Sequence, residues 1–268
     1  MEAKPAMPDL ADLELFDSCV TLGRFPGDCI QSAGELIEIM DRYRIAEALV
    51  HDYHARNVAP VQNGNDRLMK EIAGHKRLRP VWVLEPPAAP GVAAAERAVS
   101  QMLDAGVRAA RLCLRRIGAV PWLWEDLLAR LEARGVVTFF DMGGPSTTIG
   151  EVTDNDASAI YEMASRHPGL PIILSRVMGG LGVHPAVVPM IRRLPNVYID
   201  ITGILNYWRV VAAEAGPERV LFATGMPFTD PGVLVSNVQY AMDLDAAAKK
   251  LICGDNLRRL LGGTGGAA

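Results

Sequence analysis

Three groups of residues carry side chains able to move protons, attack carbonyls or grip anions. His51 and His54, in LVHDYHARN, are the histidine pair nearest a strand-like run. Three residues apart, they point to opposite faces of an extended chain, and to one face only where a helical turn begins. His51 is the better general acid or base, because an imidazole titrating at about 6.5 suits proton transfer near neutrality. The alternative is a polar residue at a loop entrance. Cys19 shares alternate-residue spacing with Asp17 and Thr21, so one strand face carries all three. A thiolate there is a nucleophile, with a pKa that a nearby arginine would lower; the alternative is a small buried side chain filling the core. Asp200 and Thr202, in VYIDITG, share a face in the same way. They are substrate-binding candidates, and Asp200 is equally a counter-charge for buried arginines. His75 and His167 read as helix-end residues, while His184, after GGLGV, lines a loop and is a further substrate-binding candidate.

The elements that must position these groups alternate regularly. Short β-branched or aromatic runs (LELFDSCV, AEALVH, PVWVLE, RAARLCL, VVTFFDM, PIILSRV, NVYIDITG and VLFATGM) predict strands. Between them lie helical patterns such as SAGELIEIMDRYRI, with Ser32 as N-cap and Leu36, Ile39, Met40 and Tyr43 on one face. DRLMKEIAGH predicts a short helix, Gly106 and Gly135 stop two others, and the chain ends in LVSNVQYAM and AAAKKLICGDNLRRLL. Several strands are nearly continuous apolar runs, as in a parallel sheet covered on both faces. Repeats of about 30 residues without a Gly-x-Gly-x-x-Gly turn weigh against an open dinucleotide-binding sheet. The expected fold is therefore α/β, a single-domain (β/α)8 TIM barrel, with its functional face at the C-terminal ends of the strands. The segment from Tyr53 to Asn65, with His54, Arg56, Asn57, Gln62 and Asn63, reads as a long loop, either a lid over the mouth or an interface.

Composition narrows the partners. With 268 residues, half of them hydrophobic, the chain can bury one barrel-sized core. A net charge of −4 with scattered arginines argues against nucleic acid. No run is long and apolar enough to predict a membrane span, and Met1 to Leu10 lack the pattern of an export signal, so a cytoplasmic location is expected. Cys19, Cys29, Cys113 and Cys253 form no CxxC pair and read as reduced thiols.

The segments FDSCVTLG, RHPGLPIILSRVMGG, NVYIDITG, GPERVLFATGMPF and GDNLRRLLG resemble the amidohydrolase-related family of metal-dependent hydrolases. The order of a GPER turn, an apolar strand, a Met-Pro step and an Asn-x-x-Arg-Leu-Leu helix is its more specific part. The resemblance covers residues 13–263, with 1–12 as an N-terminal extension and 264–268 as a tail. It implies a His-x-His pair after the first strand, histidines ending the fifth and sixth, and an aspartate ending the eighth, together holding a divalent ion. Here those positions read Cys19, Thr21, Asp141, Arg176 and Gly225. A guanidinium has no lone pair to donate and stays charged, so Arg176 opposes a metal at short range. No cofactor and no family-type metal is expected.

What remains is an anion site. Arg176, with Arg111, would orient a small ligand, most naturally a carboxylate; the alternative for Arg176 is an ion pair with Asp141, one strand away. His51, Asp141 and Cys19 are the catalytic candidates, and Thr21 joins Asp200, Thr202 and His184 as substrate-binding candidates. The leading expectation is a barrel that binds a small anionic molecule, with metal-independent hydrolase- or lyase-type chemistry if it is catalytic. The rival is a non-catalytic barrel that partners an active paralogue, and a hydrolase with a metal site rebuilt from His51, Asp141 and Cys19 ranks third. Apolar outer helices favour a homo-oligomer or a hetero-oligomer with a related barrel.

Overall fold

The computed structural model describes residues 10–25, 30–58, 60–87, 91–143, 152–179, 182–204 and 207–262. Cys29, most of the N-terminal extension and the C-terminal tail lie outside them. Eight parallel strands follow one another around the sheet in chain order: β1 (Leu15–Arg24), β2 (Ile45–Asp52), β3 (Leu78–Leu84), β4 (Ala109–Cys113), β5 (Val137–Asp141), β6 (Ile172–Ser175), β7 (Val197–Asp200) and β8 (Val220–Leu221). Backbone hydrogen bonds close the ring: Ser18 N donates to Phe222 O (3.0 Å), Gly225 N to Cys19 O (3.0 Å) and Thr21 N to Met226 O (2.9 Å). The (β/α)8 barrel expected from the alternation is the fold.

Local signals account for much of the helical layer. Ser32 caps the helix Ala33–Tyr43 by accepting from Glu35 N, and the Glu35 side chain returns to the Ser32 backbone. Leu36 and Met40 are buried beneath that helix, with Ile39 and Tyr43 packed at its edge. Gly106 (φ 78°) and Gly135 (φ 60°) follow the helices Val92–Asp104 and Pro121–Ala133 in the left-handed conformation that suits glycine.

One expectation needs correction. The stretch from Tyr53 to Asn65 is not a long loop but a helix, Tyr53–Asn57, a short link, and the start of a second helix, Val61–Glu71. Its polar residues are spent on local structure. Asp52 Oδ1 accepts from His54 N (2.7 Å) and Ala55 N (2.9 Å), turning the end of β2 directly into helix. Asn65 bonds the backbone of Val83 on β3 in both directions, at 2.9 and 3.0 Å. Gly64 lets the two helices touch, since a Cβ there would lie 2.4 Å from Ala55 N. The terminal helix also differs: a wide π-type turn, Leu251–Asp255, separates Ala246–Lys250 from Asn256–Gly262.

The barrel interior is sorted by height. Phe16, Leu49, Val81, Phe139, Ile173 and Leu221 fill its lower part, sealed from below by Leu257 and Leu260. Two residues further along a regular strand the side chains point inward again, whereas in β1 a register shift after Asp17 sets Cys19 three residues beyond Phe16. On several strands that next step is polar: His51 after Leu49, Arg111 after Ala109, Asp141 after Phe139, Ser175 after Ile173 and Asp200 after Tyr198, each of these polar side chains buried. The two-residue period thus lifts a charged layer onto an apolar plug.

Candidate active site

Asp141 is the hub of the polar layer. Its Oδ2 accepts from Arg56 Nε (2.8 Å) and Arg111 Nη1 (2.9 Å), and its Oδ1 from Arg56 Nη2 (3.3 Å) and Gly143 N (2.8 Å). Burial alone would raise its pKa, but Arg56, Arg111 and Arg176 outweigh that and hold it well below the usual carboxylate range. Arg111 also donates from Nη1 to Ser175 Oγ (3.3 Å) and from Nη2 to Cys19 Sγ (3.5 Å), and its guanidinium lies 4.8 Å from the centre of the Phe139 ring. Cys19, Arg111, Asp141 and Ser175, from β1, β4, β5 and β6, therefore form one buried cluster.

Arg176 stands beside that cluster without joining it. It follows the last residue of β6 in a left-handed conformation (φ 60°), uncommon for a residue with a side chain. Only 4% exposed, it makes no hydrogen bond or ion pair with Asp141, whose acceptors Arg56 and Arg111 already fill. The expected Arg176 to Asp141 pair is replaced by those two. Among the described residues Arg176 Nε and Nη1 find no hydrogen-bond partner; its guanidinium lies over the ring of Phe228, with Cζ 5.4 Å from the ring centre. Burial, then repulsion from Arg56, pull its pKa down from the ordinary guanidinium value. Phe228 is held by Phe25, with ring centroids 5.1 Å apart, and Phe25 packs on Tyr53 at 4.9 Å.

The remaining candidates sit around these. Thr21 Oγ1 and His51 Nε2 are hydrogen-bonded at 3.1 Å across β1 and β2, while His51 Nδ1 is buried without a partner. Burial, then Arg111 and Arg56, hold the His51 pKa well below 6.5, so the imidazole is neutral at neutral pH. Asp200 Oδ1 accepts from Thr202 N (3.0 Å), and the Ser175 and Thr202 hydroxyls lie close enough to stabilise its charged form. Burial raises the Asp200 pKa, with Arg111 opposing. Asp17 lies on the β1–β8 seam: Oδ1 accepts from Cys19 N and Thr224 N, both at 3.0 Å, and Oδ2 from Thr224 Oγ1 at 2.5 Å. His184 goes elsewhere, pairing with Asp154 at 3.2 Å and accepting from Ala186 N.

These residues do not suit a divalent cation. Both oxygens of Asp141 are filled by donors, Cys19 receives a guanidinium N–H, and Arg176 adds a third positive charge beside those of Arg56 and Arg111. Gly225 has φ 73°, and a Cβ there would lie 2.9 Å from Thr202 Cγ2, so a ligating carboxylate at that position would need the strand end rebuilt. Among the described residues, no group of three His, Cys, Asp or Glu is placed to hold a metal ion. Ser175 and Thr224 were not among the residues singled out from the sequence, and Arg56 was named only as part of the segment read as a lid or interface loop. Ser175 was accessible through the two-residue spacing from Ile173, whereas Arg56 reaches Asp141 only because a helix begins at Tyr53.

The sequence profile described as amidohydrolase matches residues 38–263. The chain belongs to the amidohydrolase family. β1, with Cys19 and Thr21, precedes the matched segment, so its place in this amidohydrolase barrel rests on the strand pairing just described. Among solved structures, 5-carboxyvanillate decarboxylase from Sphingomonas paucimobilis superposes with a TM-score of 0.71 at 15% identity, over 93% of this chain and 99% of that one. The 2,6-dihydroxybenzoate decarboxylase from Rhizobium gives 0.70 at 17% identity, over 94% and 99%. A dihydroxybenzoic acid decarboxylase from Polaromonas sp. JS666, with bound manganese and the inhibitor 2-nitroresorcinol, gives 0.65 at 14%, over 92% and 96%. At such identities the likeness is one of fold. No curated protein matches the chain.

Proposed function

We propose that this amidohydrolase-family barrel binds a small organic anion, a carboxylate first of all, at the C-terminal mouth, and that it does so without a family-type metal. One observation carries the reading: Arg176 is a buried guanidinium whose Nε and Nη1 find no hydrogen-bond partner among the described residues. An unpaired buried charge is costly, and a carboxylate accepting from its fork removes that cost. The decarboxylases of similar fold, named for carboxylated substrates, agree with this ligand class. Arg111 adds positive charge from behind, and Asp200 Oδ2, Thr202 Oγ1 and His51 Nδ1 offer further polar contacts. If the barrel is catalytic, the chemistry is of hydrolase or lyase type, with neutral His51 as the proton-handling group and Cys19 as the nucleophile candidate. The test is thermal-shift screening of small carboxylates against wild type and Arg176→Met. Shifts in wild type that vanish in the variant are expected, and equal shifts in both would remove the clamp. Elemental analysis of protein purified without chelator should find no stoichiometric metal; about one tightly held Zn or Mn per chain would overturn the metal-free part.

A second reading is favoured by the closed Asp141 network, which needs no ligand: a non-catalytic barrel that partners an active relative. A stoichiometric second barrel recovered from native lysate, with no carboxylate binding, would favour it.

A further inference from the structure

Asp141 is bound by its own protein in the way a free carboxylate would be. Arg56 approaches side-on with Nε and Nη2, Arg111 adds Nη1, and the backbone N–H of Gly143 supplies a fourth donor, all within 2.8–3.3 Å. Gly143 is needed for the fit, because a Cβ there would lie 2.5 Å from Arg56 Nη2 and 2.6 Å from Arg176 Cδ. These donors come from the helix Tyr53–Asn57, from β4 and from the turn after β5. Three guanidiniums gather around Asp141, and that carboxylate has already taken two of them.

We infer that Asp141 is the resident occupant of a carboxylate subsite, leaving Arg176 as the vacant clamp among the described residues, so that the mouth selects ligands with a single carboxylate and rejects dicarboxylates. The inference rests on the anion-binding reading above and adds the charge of the ligand to it. A second carboxylate would find Arg56 and Arg111 committed to Asp141 and would meet the negative charge of that residue at short range. A like charge and a missing partner in a buried site both oppose binding. Asp141 is then a specificity-determining residue.

The experiment has two arms. In the first, wild-type protein is titrated calorimetrically with matched probes, benzoate against isophthalate and succinamate against succinate. The monocarboxylate of each pair is expected to bind at least about tenfold more tightly, a difference of roughly 1.4 kcal/mol; equal or tighter dicarboxylate binding overturns the inference. In the second, Asp141→Ala is melted in sodium formate and in sodium chloride of equal ionic strength. Formate is expected to raise the melting temperature of the variant by clearly more than it raises that of wild type, since the variant has the emptied Asp141 subsite in addition to the Arg176 clamp. A formate shift in the variant no larger than the wild-type shift overturns it. If no carboxylate binds wild type, the Arg176 reading fails, while the formate arm, which does not use Arg176, still decides whether the subsite exists. Should Asp141→Ala fail to fold, the matched probes decide.

Discussion

Asp17 combines full burial with three hydrogen bonds, and the two act in opposite directions on its proton. Desolvation is the larger effect, and the carboxyl is raised from its ordinary 3.8 to about 7. The sign for stability follows from proton counts. Between about pH 4 and pH 7 the unfolded chain has lost this proton and the folded chain keeps it, so the unfolded state binds fewer protons and stability falls as pH rises. The contribution is fully present below about pH 4 and is lost as pH passes the folded value, by at most about 4 kcal/mol. Asp17→Asn keeps the shape and the acceptor oxygen but cannot ionise. The variant should melt with wild type at pH 4 and above it at pH 8; parallel curves across that range would show that Asp17 is ionised when folded. Gly143 supports a second residue-scale prediction. Gly143→Ala forces a methyl against Arg56 and Arg176, and overpacking of this kind costs about 1–3 kcal/mol. Chemical denaturation should show that loss, together with weaker carboxylate binding because Arg176 is displaced.

At the scale of elements, the segment after β2 separates what was legible in the sequence from what was not. The strands were legible because apolar runs and the two-residue period are local; that period grouped Cys19 with Thr21 and Asp200 with Thr202, while Asp141 and Arg176 were placed at strand ends through the family resemblance. The helix Tyr53–Asn57 was not legible. Five residues show too little apolar periodicity, and the partner of Arg56 is distant in sequence, Asp141 on β5. For the same reason the Arg176 to Asp141 pair was expected: strand adjacency was visible, and the competing arginine was not. Asp52 is the residue that makes this helix begin. It caps His54 and Ala55 and is gripped by Arg67, at 2.8 Å from Nη2 and 3.0 Å from Nε. Asp52→Ala should cost about 1–3 kcal/mol by removing the cap and stranding the buried N–H groups. Arg67→Ala, at a side chain about half exposed, should cost under about 1 kcal/mol. Equilibrium urea unfolding of both variants checks the ranking; equal losses would mean the ion pair, not the cap, sets the helix.

Over the whole molecule, closing the barrel depends on its last strand and on the chain end beneath it. β8 has only two residues in regular pairing with β7, and its further hold on β1 runs through single backbone bonds at Ser18, Thr21 and Gly225. The chain end compensates from below. Phe222 N donates to Ile252 O at 2.9 Å in the π-type turn, and Asn256 Nδ2 donates to Val220 O at 2.9 Å and Pro217 O at 2.8 Å. Leu257 then enters the interior plug with Phe16, Val81 and Leu221, so the seal and the plug are one apolar cluster. A charged layer that excludes water above needs that plug filled below, since a hydrated floor would weaken the guanidinium network. Leu257→Ala should therefore cost about 2–5 kcal/mol, as for other buried leucines, and lower the melting temperature by roughly 5–15 °C. Val233→Ala, on an outer helix and 42% exposed, should stay within about 0.5 kcal/mol. Melting of the two variants side by side tests the seal: a Leu257→Ala loss no larger than that of Val233→Ala would mean the terminal helix lies against the barrel without holding its floor, and that the closure of β8 onto β1 is sufficient by itself.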